Sequence, residues 1–576
     1  MTITLSGKRH ARPASPHATN TTSVSEYVVA QLVSIGIEVV YGVHGANVED
    51  LYDAAVRAES LTPVVAKHEF AAGAMADGVA RITGRPAAVM TTSGGGAMNV
   101  VPALAEAYDS RVPVLALIGT APTALVGCGA FQDMLSPPDT IDIAGLLSSV
   151  VGSCSVVSHA DDVPAALATA FVTLHRGLPA AVLLPKDIQS AELGDPHLVA
   201  HANAFEEATA EVHSGMRRIA DELCETVRSG GRVCFWVGEE ASIARVGAGV
   251  DRLANAVGAT VVASPGGRDI LSHNTYSAGV TGVMGHPSAH RALADADLCL
   301  VLGCRMTMTD RAGLEDVLRD RRVHHVGTEP PRAPGLAEHV PVTDLSDSIT
   351  WLVEYVYQQG LSPAQHSLPR VEYLPVAPSA VPLDLRAAID EIGAVLPAGT
   401  AVFADAGNAG AAAIHYLPWG SGRFVVALGM GGMGYGIAAG VGNAIRTAAR
   451  GDPGRTVVVA GDGSFFMHGM ELHTAVEHQA PVTVVILNNN AHGMCVTREH
   501  LFFPNTPSVN RFAYSDIAAG LAAMFDGLTV AHAADRATLR RAARDLMTVP
   551  GPACLVVDVD PDEVPPFAPF LPKGTS

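Results

Sequence analysis

The residues with the clearest chemical potential lie in the stretch 461–490, which begins Gly-Asp-Gly and ends Asn-Asn-Asn. Asp462 follows the apolar run TVVVAG, and Asn489 follows the next apolar run, VTVVILN. If the two runs are neighbouring strands of a parallel sheet, their carboxyl ends bring both side chains to one edge. A carboxylate and an amide oxygen form an incomplete oxygen shell of the kind that Mg²⁺ accepts, completed by phosphate oxygens and water. The spacing therefore indicates a metal-clamped diphosphate, although a bare Gly-Asp-Gly alone would indicate an ordinary turn.

Short apolar runs alternate with helical periodicity from about residue 24 onwards. Continuous apolar strands between helices are typical of parallel sheets that are buried on both faces. The pattern predicts an α/β protein made of three consecutive doubly wound parallel-sheet domains. We place these domains at residues 24–190, 205–360 and 382–570, with a disordered tail at 1–23 and a Pro/Ser-rich linker at 361–381.

Composition excludes several classes of partner. The 576 residues carry a formal net charge of −20, which argues against nonspecific binding to nucleic acid or to an anionic membrane surface. Eight cysteines without a CxxC pair are typical of reduced thiols, so we expect a cytoplasmic protein. No apolar run reaches the ~18 residues of a membrane span, and the N-terminus lacks the apolar segment of a signal peptide.

The stretch 461–490 resembles the thiamine-diphosphate motif, and the wider pattern resembles the acetohydroxyacid (acetolactate) synthase branch of that family over about residues 24–570. The resemblance implies pyrimidine-binding, central and diphosphate-binding domains in that order. It also implies that Asp462, Asn489 and the backbone carbonyl of Ala491 hold Mg²⁺ against the diphosphate of the cofactor.

For the first domain, the resemblance implies a proton relay and a substrate-facing loop. Glu69, between a buried strand and an Ala/Gly-rich helix, would protonate the aminopyrimidine, although its position also suits a helix-stabilising first-turn residue. Asn99, in the loop TTSGGGAMN, would frame the same ring. Phe131 and Gln132 match a segment near the reacting carbon. His44 departs from the family pattern and is either an acid, base or substrate ligand, or a structural histidine.

For the third domain, the resemblance implies a glycine-rich cradle. Met433 would support the bent cofactor from below, and the carbonyl of Gly431 would accept a hydrogen bond from the aminopyrimidine. The remaining residues assigned to the cofactor by their place in the family motifs are Gly407, Asn408, Gly461, Gly463, Ser464, Gly493 and Met494.

Two further residues depart from the family pattern near the expected acceptor pocket. His492 precedes Gly493-Met494, and Arg498 takes the place of a tryptophan that sorts acceptors in the synthases. An arginine there would bind a carboxylate or phosphate in a bidentate manner, or it would point to solvent. The central domain resembles the FAD-binding segments of the synthases only loosely. Since FAD is not needed for the chemistry, we expect the chain to work without it.

The resulting hypothesis is a thiamine-diphosphate- and Mg²⁺-dependent enzyme. It would decarboxylate a 2-oxo acid, most simply pyruvate, and join the remaining fragment to an acceptor carbonyl, as acetolactate synthases do. The alternatives are a non-ligating 2-oxo acid decarboxylase, a 2-hydroxyacyl lyase and a catalytically silent homologue. The resemblance further implies an obligate homo-oligomer, a dimer or a tetramer, because the relay glutamate and the diphosphate site of the family come from different subunits.

Overall fold

The computed structural model describes residues 21–194, 210–333, 335–363, 369–376, 383–420 and 422–571. The predicted tail lies outside the described residues up to position 20, as do parts of the predicted linker. Thr21–Ser23, predicted as the last residues of that tail, instead form strand β1. It pairs antiparallel with Glu192–Gly194 (β8) because the end of the first domain returns to its start.

The first domain holds a six-stranded parallel sheet in the order β3-β2-β4-β5-β7-β6. Between β1 and β8, its elements are α1 (Val24–Ser34), β2 (Val39–Val43), α2 (Glu49–Arg57), β3 (Thr62–Val65), α3 (Glu69–Thr83), β4 (Ala87–Thr91), α4 (Gly95–Ser110), β5 (Val114–Thr120), α5 (Ile143–Ser148), β6 (Ser153–Val156), α6 (Val163–His175), β7 (Ala180–Pro185) and α7 (Lys186–Gln189).

The central domain has a parallel sheet in the order β11-β10-β9-β12-β13-β14. Its elements are α8 (Ala210–Arg228), β9 (Val233–Val237), α9 (Glu239–Ile243), α10 (Gly247–Val257), β10 (Thr260–Ala263), β11 (Ser277–Val280), α11 (Pro287–Ala294), β12 (Leu298–Leu302), α12 (Met308–Arg311), α13 (Glu315–Arg319), β13 (Arg322–Gly327), β14 (Glu338–Pro341) and α14 (Leu345–Gln358).

The third domain has a parallel sheet in the order β16-β15-β17-β18-β20-β19. Its elements are α15 (Leu385–Gly393), β15 (Ala401–Ala404), α16 (Asn408–Tyr416), β16 (Phe424–Val426), α17 (Tyr435–Arg450), β17 (Thr456–Gly461), α18 (Asp462–His468), α19 (Glu471–Glu477), β18 (Val482–Asn488), α20 (Gly493–Phe502), α21 (Ile517–Met524), β19 (Thr529–Ala533), α22 (Arg536–Leu546) and β20 (Ala553–Asp558).

The predicted fold class of three doubly wound parallel-sheet domains is confirmed. Central strands such as β5 and β18 are buried along their whole length, which is why their sequences are continuously apolar. The first and third sheets share one strand order, 2-1-3-4-6-5 when the strands of each are counted along the chain. That order reverses between strands 1 and 3, and ligands of open α/β sheets bind beyond the carboxyl ends of strands at such a reversal.

The first and third domains pack against each other through α3 and α17. Two glycines make this close approach feasible: a Cβ on Gly78 would lie 2.6 Å from the Cβ of Ala439, and one on Gly442 would lie 2.5 Å from the Cβ of Met75. On α3, Gly78 stands three residues after Met75, the residue that Gly442 of α17 contacts. On α17, Gly442 stands three residues after Ala439, the residue that Gly78 of α3 contacts. The contact is therefore reciprocal, and it fixes the two domains in one arrangement.

Candidate active site

The oxygen-bearing side chains of the stretch 461–490 meet at the edge of the third sheet. Strands β17 and β18 are neighbours, with Gly461 opposite Leu487. The backbone N–H of Ala491 donates to both the Asp462 carboxylate and the Asn489 amide oxygen, at 3.1 Å each. This single donor shows that the two side chains converge on one point. The Gly-Asp-Gly segment is not a free turn, since Asp462 is the first residue of helix α18.

The Asp462 carboxylate is almost fully buried, and this burial raises its pKa to about 6 despite hydrogen bonds from backbone N–H groups. A nearby cation would favour the ionised form and offset this desolvation. The donor set consists of one carboxylate, one amide and backbone oxygens, which suits a hard cation such as Mg²⁺. Among the described residues, no group of three or more His, Cys, Asp or Glu side chains is arranged to hold a metal.

A cradle for a diphosphate adjoins this cluster at the start of α16. Gly407 adopts a φ of +85°, a conformation that favours glycine, and the space beside its Cα is open. The buried Oδ1 of Asn408 has no hydrogen-bond partner. Gly493 allows close approach, because a Cβ there would lie 2.5 Å from Nδ2 of Asn489 and 2.7 Å from Nδ2 of Asn408. Open backbone at Gly407, close backbone approach at Gly493 and the N-termini of α16 and α20 suit an anionic group, whereas the unpartnered Oδ1 of Asn408 is an acceptor that suits a donor or a cation.

Asp405 is a structural carboxylate that the sequence reasoning did not single out. It follows β15 as Asp462 follows β17, and it accepts hydrogen bonds from the backbone N–H groups of Ala406, Gly434 and Gly436 at 2.7–3.1 Å. It therefore holds the glycine-rich segment before α17 against the cradle. Its place at the end of a buried strand, two positions before Gly407, was the signal available in the sequence.

Met433, the residue predicted beneath the cofactor, lies close to Gly463 and His492. The position of a Cβ on Gly463 is 3.2 Å from Cε of Met433 and 2.6 Å from Nδ1 of His492. The buried Nδ1 of His492 has no hydrogen-bond partner, and its ring meets that of Phe512 edge-on at 4.7 Å. Gly431 is exposed with a φ of +67° and open space beside it. Ser464 is buried in the first turn of α18.

The carboxylate of Glu69 forms the centre of a second group, in the first domain. Glu69 is the first residue of α3 and 9% exposed, and its Oε2 accepts a hydrogen bond from Nδ2 of Asn99 at 2.9 Å. A Cβ on Gly96 would lie 3.3 Å from its other oxygen. The absence of a side chain at Gly96 thus keeps this carboxyl group accessible beside the N-terminus of α4.

The other predicted residues of the first domain are Gln132, His44 and Phe131. Oε1 of Gln132 accepts from the Ser93 hydroxyl at 3.0 Å, which anchors a residue with the uncommon φ of +60°. His44 is exposed, and its ring lies 4.9 Å from that of Tyr52. Phe131 is 82% exposed and therefore contributes nothing to the core of its own domain.

Two predicted residues lie on α20, the helix that begins directly after His492. Met494 is half-buried and packs against the core shared by the central and third domains. Arg498 is exposed, and its guanidinium stacks over the ring of Phe502 at 5.5 Å. This stacking holds the arginine at the surface of α20 and leaves its donors free to bind an anion.

The edge of the central sheet where the strand order reverses is acidic and closed. A Cβ on Gly238, after β9, would clash with the backbone of Gly303 and Cys304 after β12. Glu239 and Glu240 follow directly, and burial raises the pKa of each to about 7. Carboxyl groups at this edge do not suit the diphosphate of FAD. This agrees with the expectation that the chain works without FAD, which stays a prediction.

Family models match three segments of the chain. The model for the thiamine pyrophosphate enzyme N-terminal TPP binding domain matches residues 22–143, that for the central domain 220–342, and that for the C-terminal TPP binding domain 405–557. The chain belongs to the thiamine pyrophosphate enzymes. The group around Glu69 lies within the first matched segment and the group around Asp462 within the third.

Similar proteins place the chain in one branch of this family. It is 26% identical over 570 residues to the acetolactate synthase isozyme 1 large subunit of Escherichia coli, with 96% of both chains covered. It is 28% identical to the isozyme 2 large subunit of the same organism, with 96% of this chain and 98% of the relative covered. An acetolactate synthase of Mycobacterium bovis is 27% identical over 86% of this chain and 79% of its own. The predicted membership of the acetolactate synthase-like branch is confirmed.

A solved structure shares the whole fold of this thiamine pyrophosphate enzyme. The X-ray structure titled as a "putative thiamin diphosphate-dependent enzyme" from Mycobacterium smegmatis superposes with a TM-score of 0.77 at 21% identity, covering 94% of this chain and 100% of that one. At this identity the likeness shows the fold alone.

In the described part of the chain, no helix is long and apolar enough to cross a membrane.

Proposed function

We propose that this chain decarboxylates a 2-oxo acid, most simply pyruvate, with thiamine diphosphate and Mg²⁺, and joins the remaining fragment to an acceptor carbonyl. The observation that carries the proposal is the convergence of Asp462 and Asn489 on one backbone donor beside the cradle at Asn408. The similarity to acetolactate synthases along nearly the full length supports the reaction class.

Each group of residues has a distinct task in this proposal. Asp462, Asn489 and the carbonyl of Ala491 would hold Mg²⁺, and through it the diphosphate. Glu69, kept in place by Asn99, would hold a proton at the aminopyrimidine ring and take it back. When bound, the cofactor supplies an electron sink for the pair released as CO₂ departs. Its apolar underside would rest on Met433.

We assign the substrate contacts to residues with free polar atoms or exposed rings in the two cofactor-binding domains. His44, Gln132 and Phe131 belong to the domain of Glu69, and His492 and Arg498 belong to the domain of Asp462. We assign Arg498 to an acidic acceptor, because its stacked guanidinium is exposed with its donors available.

The proposal includes a homo-oligomer, a dimer or a tetramer. Glu69 makes its hydrogen bond within the first domain, and the group around Asp462 is hydrogen-bonded within the third. Large apolar side chains stand exposed near both groups, among them Phe131, Met430 and Phe466 at 82%, 57% and 52% exposure. Exposure of this kind is typical of interaction surfaces. A second copy that covers them would bring its Glu69 to the diphosphate site of the first.

Mixing two inactive variants tests this subunit arrangement. Glu69→Gln and Asp462→Ala chains should each be inactive, whereas mixed dimers should regain activity at the one site that combines two intact halves. Light scattering would establish the size of the assembly. No activity in verified mixed dimers would contradict a site shared between subunits.

Product analysis tests the reaction. The protein would be given thiamine diphosphate, Mg²⁺ and pyruvate, alone and with a panel of 2-oxo acids and aldehydes, and the products identified by mass spectrometry. Acetolactate or a mixed 2-hydroxy ketone is the expected result and would identify the acceptor. CO₂ with acetaldehyde as the only organic product would contradict the ligation step and indicate a plain decarboxylase. No CO₂ would exclude pyruvate as the donor.

A further inference from the structure

A buried guanidinium connects all three domains at the C-terminal half of α3. Arg81 is 2% exposed, and it pairs with Asp77 at 2.6 Å, with Glu106 of α4 at 3.0 Å and with Glu239 of the central domain. The hydroxyl of Tyr435, at the start of α17, donates to Asp77. One cation thus faces three carboxyl groups, and their other hydrogen bonds decide which of them stays charged.

Glu106 is compensated by the backbone of the third domain. Its carboxylate accepts hydrogen bonds from the N–H groups of Gly429, Met430 and Gly431 at 3.2, 2.6 and 3.2 Å. Arg81 and these donors keep the pKa of Glu106 below its usual value against the effect of burial. A carboxylate of the first domain therefore holds the loop that carries the Gly431 carbonyl and leads to the position beneath the cofactor.

Glu471 makes the converse contact from the third domain. It is 1% exposed, accepts the backbone N–H of Lys67 at 2.9 Å, and is oriented by the Thr474 hydroxyl at 2.7 Å. The ammonium group of Lys67 reaches Glu477, also on α19, at 2.6 Å. The segment held in this way ends two residues later at Glu69, the first residue of α3.

The two contacts come from corresponding helices of the two domains, which connect the third and fourth strands of each sheet. Glu106 lies on α4, which follows α3 in the first domain, and Glu471 lies on α19, which follows α17 and the short α18 in the third. Each carboxylate reaches the segment that precedes the long helix of the opposite domain. The reciprocal packing of the two long helices brings both contacts about at once.

We propose that Glu106 and Glu471 are paired positioning residues, each belonging to one cofactor-binding domain and fixing the backbone that presents the catalytic or cofactor-contacting group of the other. Glu106 fixes the position of the Gly431 carbonyl. Glu471 fixes the position of the first turn of α3 and therefore that of Glu69. The inference rests on the proposed function for the roles of Gly431 and Glu69. The contacts themselves do not depend on which substrate is used.

The carboxylate of Glu106 matters because the loop that it binds is not fixed by its own sequence. The loop 427–434 contains four glycines, which gives it high conformational freedom when it is unbound. In Glu106→Gln, one oxygen remains to accept, but the new amide group faces N–H donors. Loss of a charge-assisted hydrogen bond corresponds to about a tenfold change in an equilibrium.

Hydrogen–deuterium exchange of the cofactor-free protein, read by mass spectrometry, is the direct test. In Glu106→Gln, peptides covering 427–434 should exchange about tenfold faster, and thiamine diphosphate in the presence of Mg²⁺ should bind about tenfold more weakly by calorimetric titration. In Glu471→Gln, faster exchange should appear at 66–70. There, kcat for CO₂ release should fall while cofactor affinity is retained, because the diphosphate site is untouched.

The matched control is Glu563→Gln. Glu563 is also buried and accepts a backbone N–H, that of Leu385, but this contact lies at the start of α15 and outside the proposed site. It should leave exchange at 66–70 and 427–434 and cofactor affinity unchanged. Should Glu106→Gln fail to fold, Ser110→Ala removes one hydrogen bond to Glu106, 2.8 Å long, and should show a smaller change at 427–434.

Unchanged exchange in both segments with unchanged cofactor affinity would overturn the proposal. Equal acceleration over the whole chain would also overturn it, because that would indicate a general stabilising role. Exchange and affinity are measured without turnover, so local changes would support the positioning roles even if the proposed reaction proved wrong.

Discussion

Glu69→Gln separates proton transfer from structure at the candidate active site. A glutamine keeps the size of the side chain, and its carbonyl can still accept from Nδ2 of Asn99, 2.9 Å from the native carboxylate. The lost charge at the N-terminus of α3 should cost about 0.3–1 kcal/mol of stability, so the fold should persist. Removing a general acid–base group should slow the reaction by about 10²–10⁴-fold, equivalent to about 2.7–5.4 kcal/mol in the barrier.

The assay follows three quantities in parallel. CO₂ release from the 2-oxo acid and exchange of the C2 proton of the cofactor should both fall in Glu69→Gln, while calorimetric titration should show unchanged binding of thiamine diphosphate. The C2 exchange needs no substrate and therefore stands even if pyruvate is not the donor. Glu59→Gln, at an exposed position after α2, is the control and should match the wild type. Exchange in Glu69→Gln within about tenfold of the wild type would refute the proton-relay assignment.

Four further outcomes are expected. EDTA should abolish cofactor binding in a calorimetric titration, Mg²⁺ should restore it, and Asp462→Ala should prevent the recovery. Gly442→Ala should destabilise the protein in denaturant by about 1–3 kcal/mol through overlap with α3, whereas Gly520→Ala, in open space on α21, should be neutral or stabilising by up to ~1 kcal/mol. Burial lowers the pKa of His286 to about 3 from 6.5. The contribution of this neutral imidazole to the free energy of unfolding is therefore complete above pH 6.5 and is lost as the pH falls, by at most about 1.4 kcal/mol per pH unit. His286→Gln should flatten the dependence of Tm on pH between about 6.5 and 4. Arg498→Ala should raise KM for an acidic acceptor and leave KM for a neutral aldehyde unchanged, and equal kinetics would remove Arg498 from the pocket.

The interior strands of each sheet could mostly be predicted from sequence, whereas several strands at the sheet edges carry no clear pattern. Strands such as β5 and β18 are continuous apolar runs because helices cover both of their faces. Four strands without such a run, β6, β11, β14 and β19, are terminal in their sheets. A terminal strand has a neighbour on one side only, and β19 accordingly carries mainly half-buried and exposed residues. Hydrophobic pattern alone does not distinguish such segments from loops.

The candidate site divides in a similar way. Asp462 and Asn489 could be predicted because one strand–helix–strand unit determines where both lie. Asp405, Glu106 and Glu471 were not singled out, because their importance depends on partners far away in the chain or on a turn whose geometry the sequence does not reveal. Glu106, for example, contacts N–H groups more than 300 positions later. Residue type and local spacing carry no trace of such a contact.

The reciprocal glycine contact between α3 and α17 has a historical consequence. Two domains with one strand order, joined through equivalent faces, have the relationship of the subunits in a symmetric dimer. Such an arrangement is expected when a gene encoding a self-associating domain is duplicated and fused. Fusion then allows the two copies to diverge: of Glu106 and Glu471, only Glu106 pairs with an arginine that reaches the central domain.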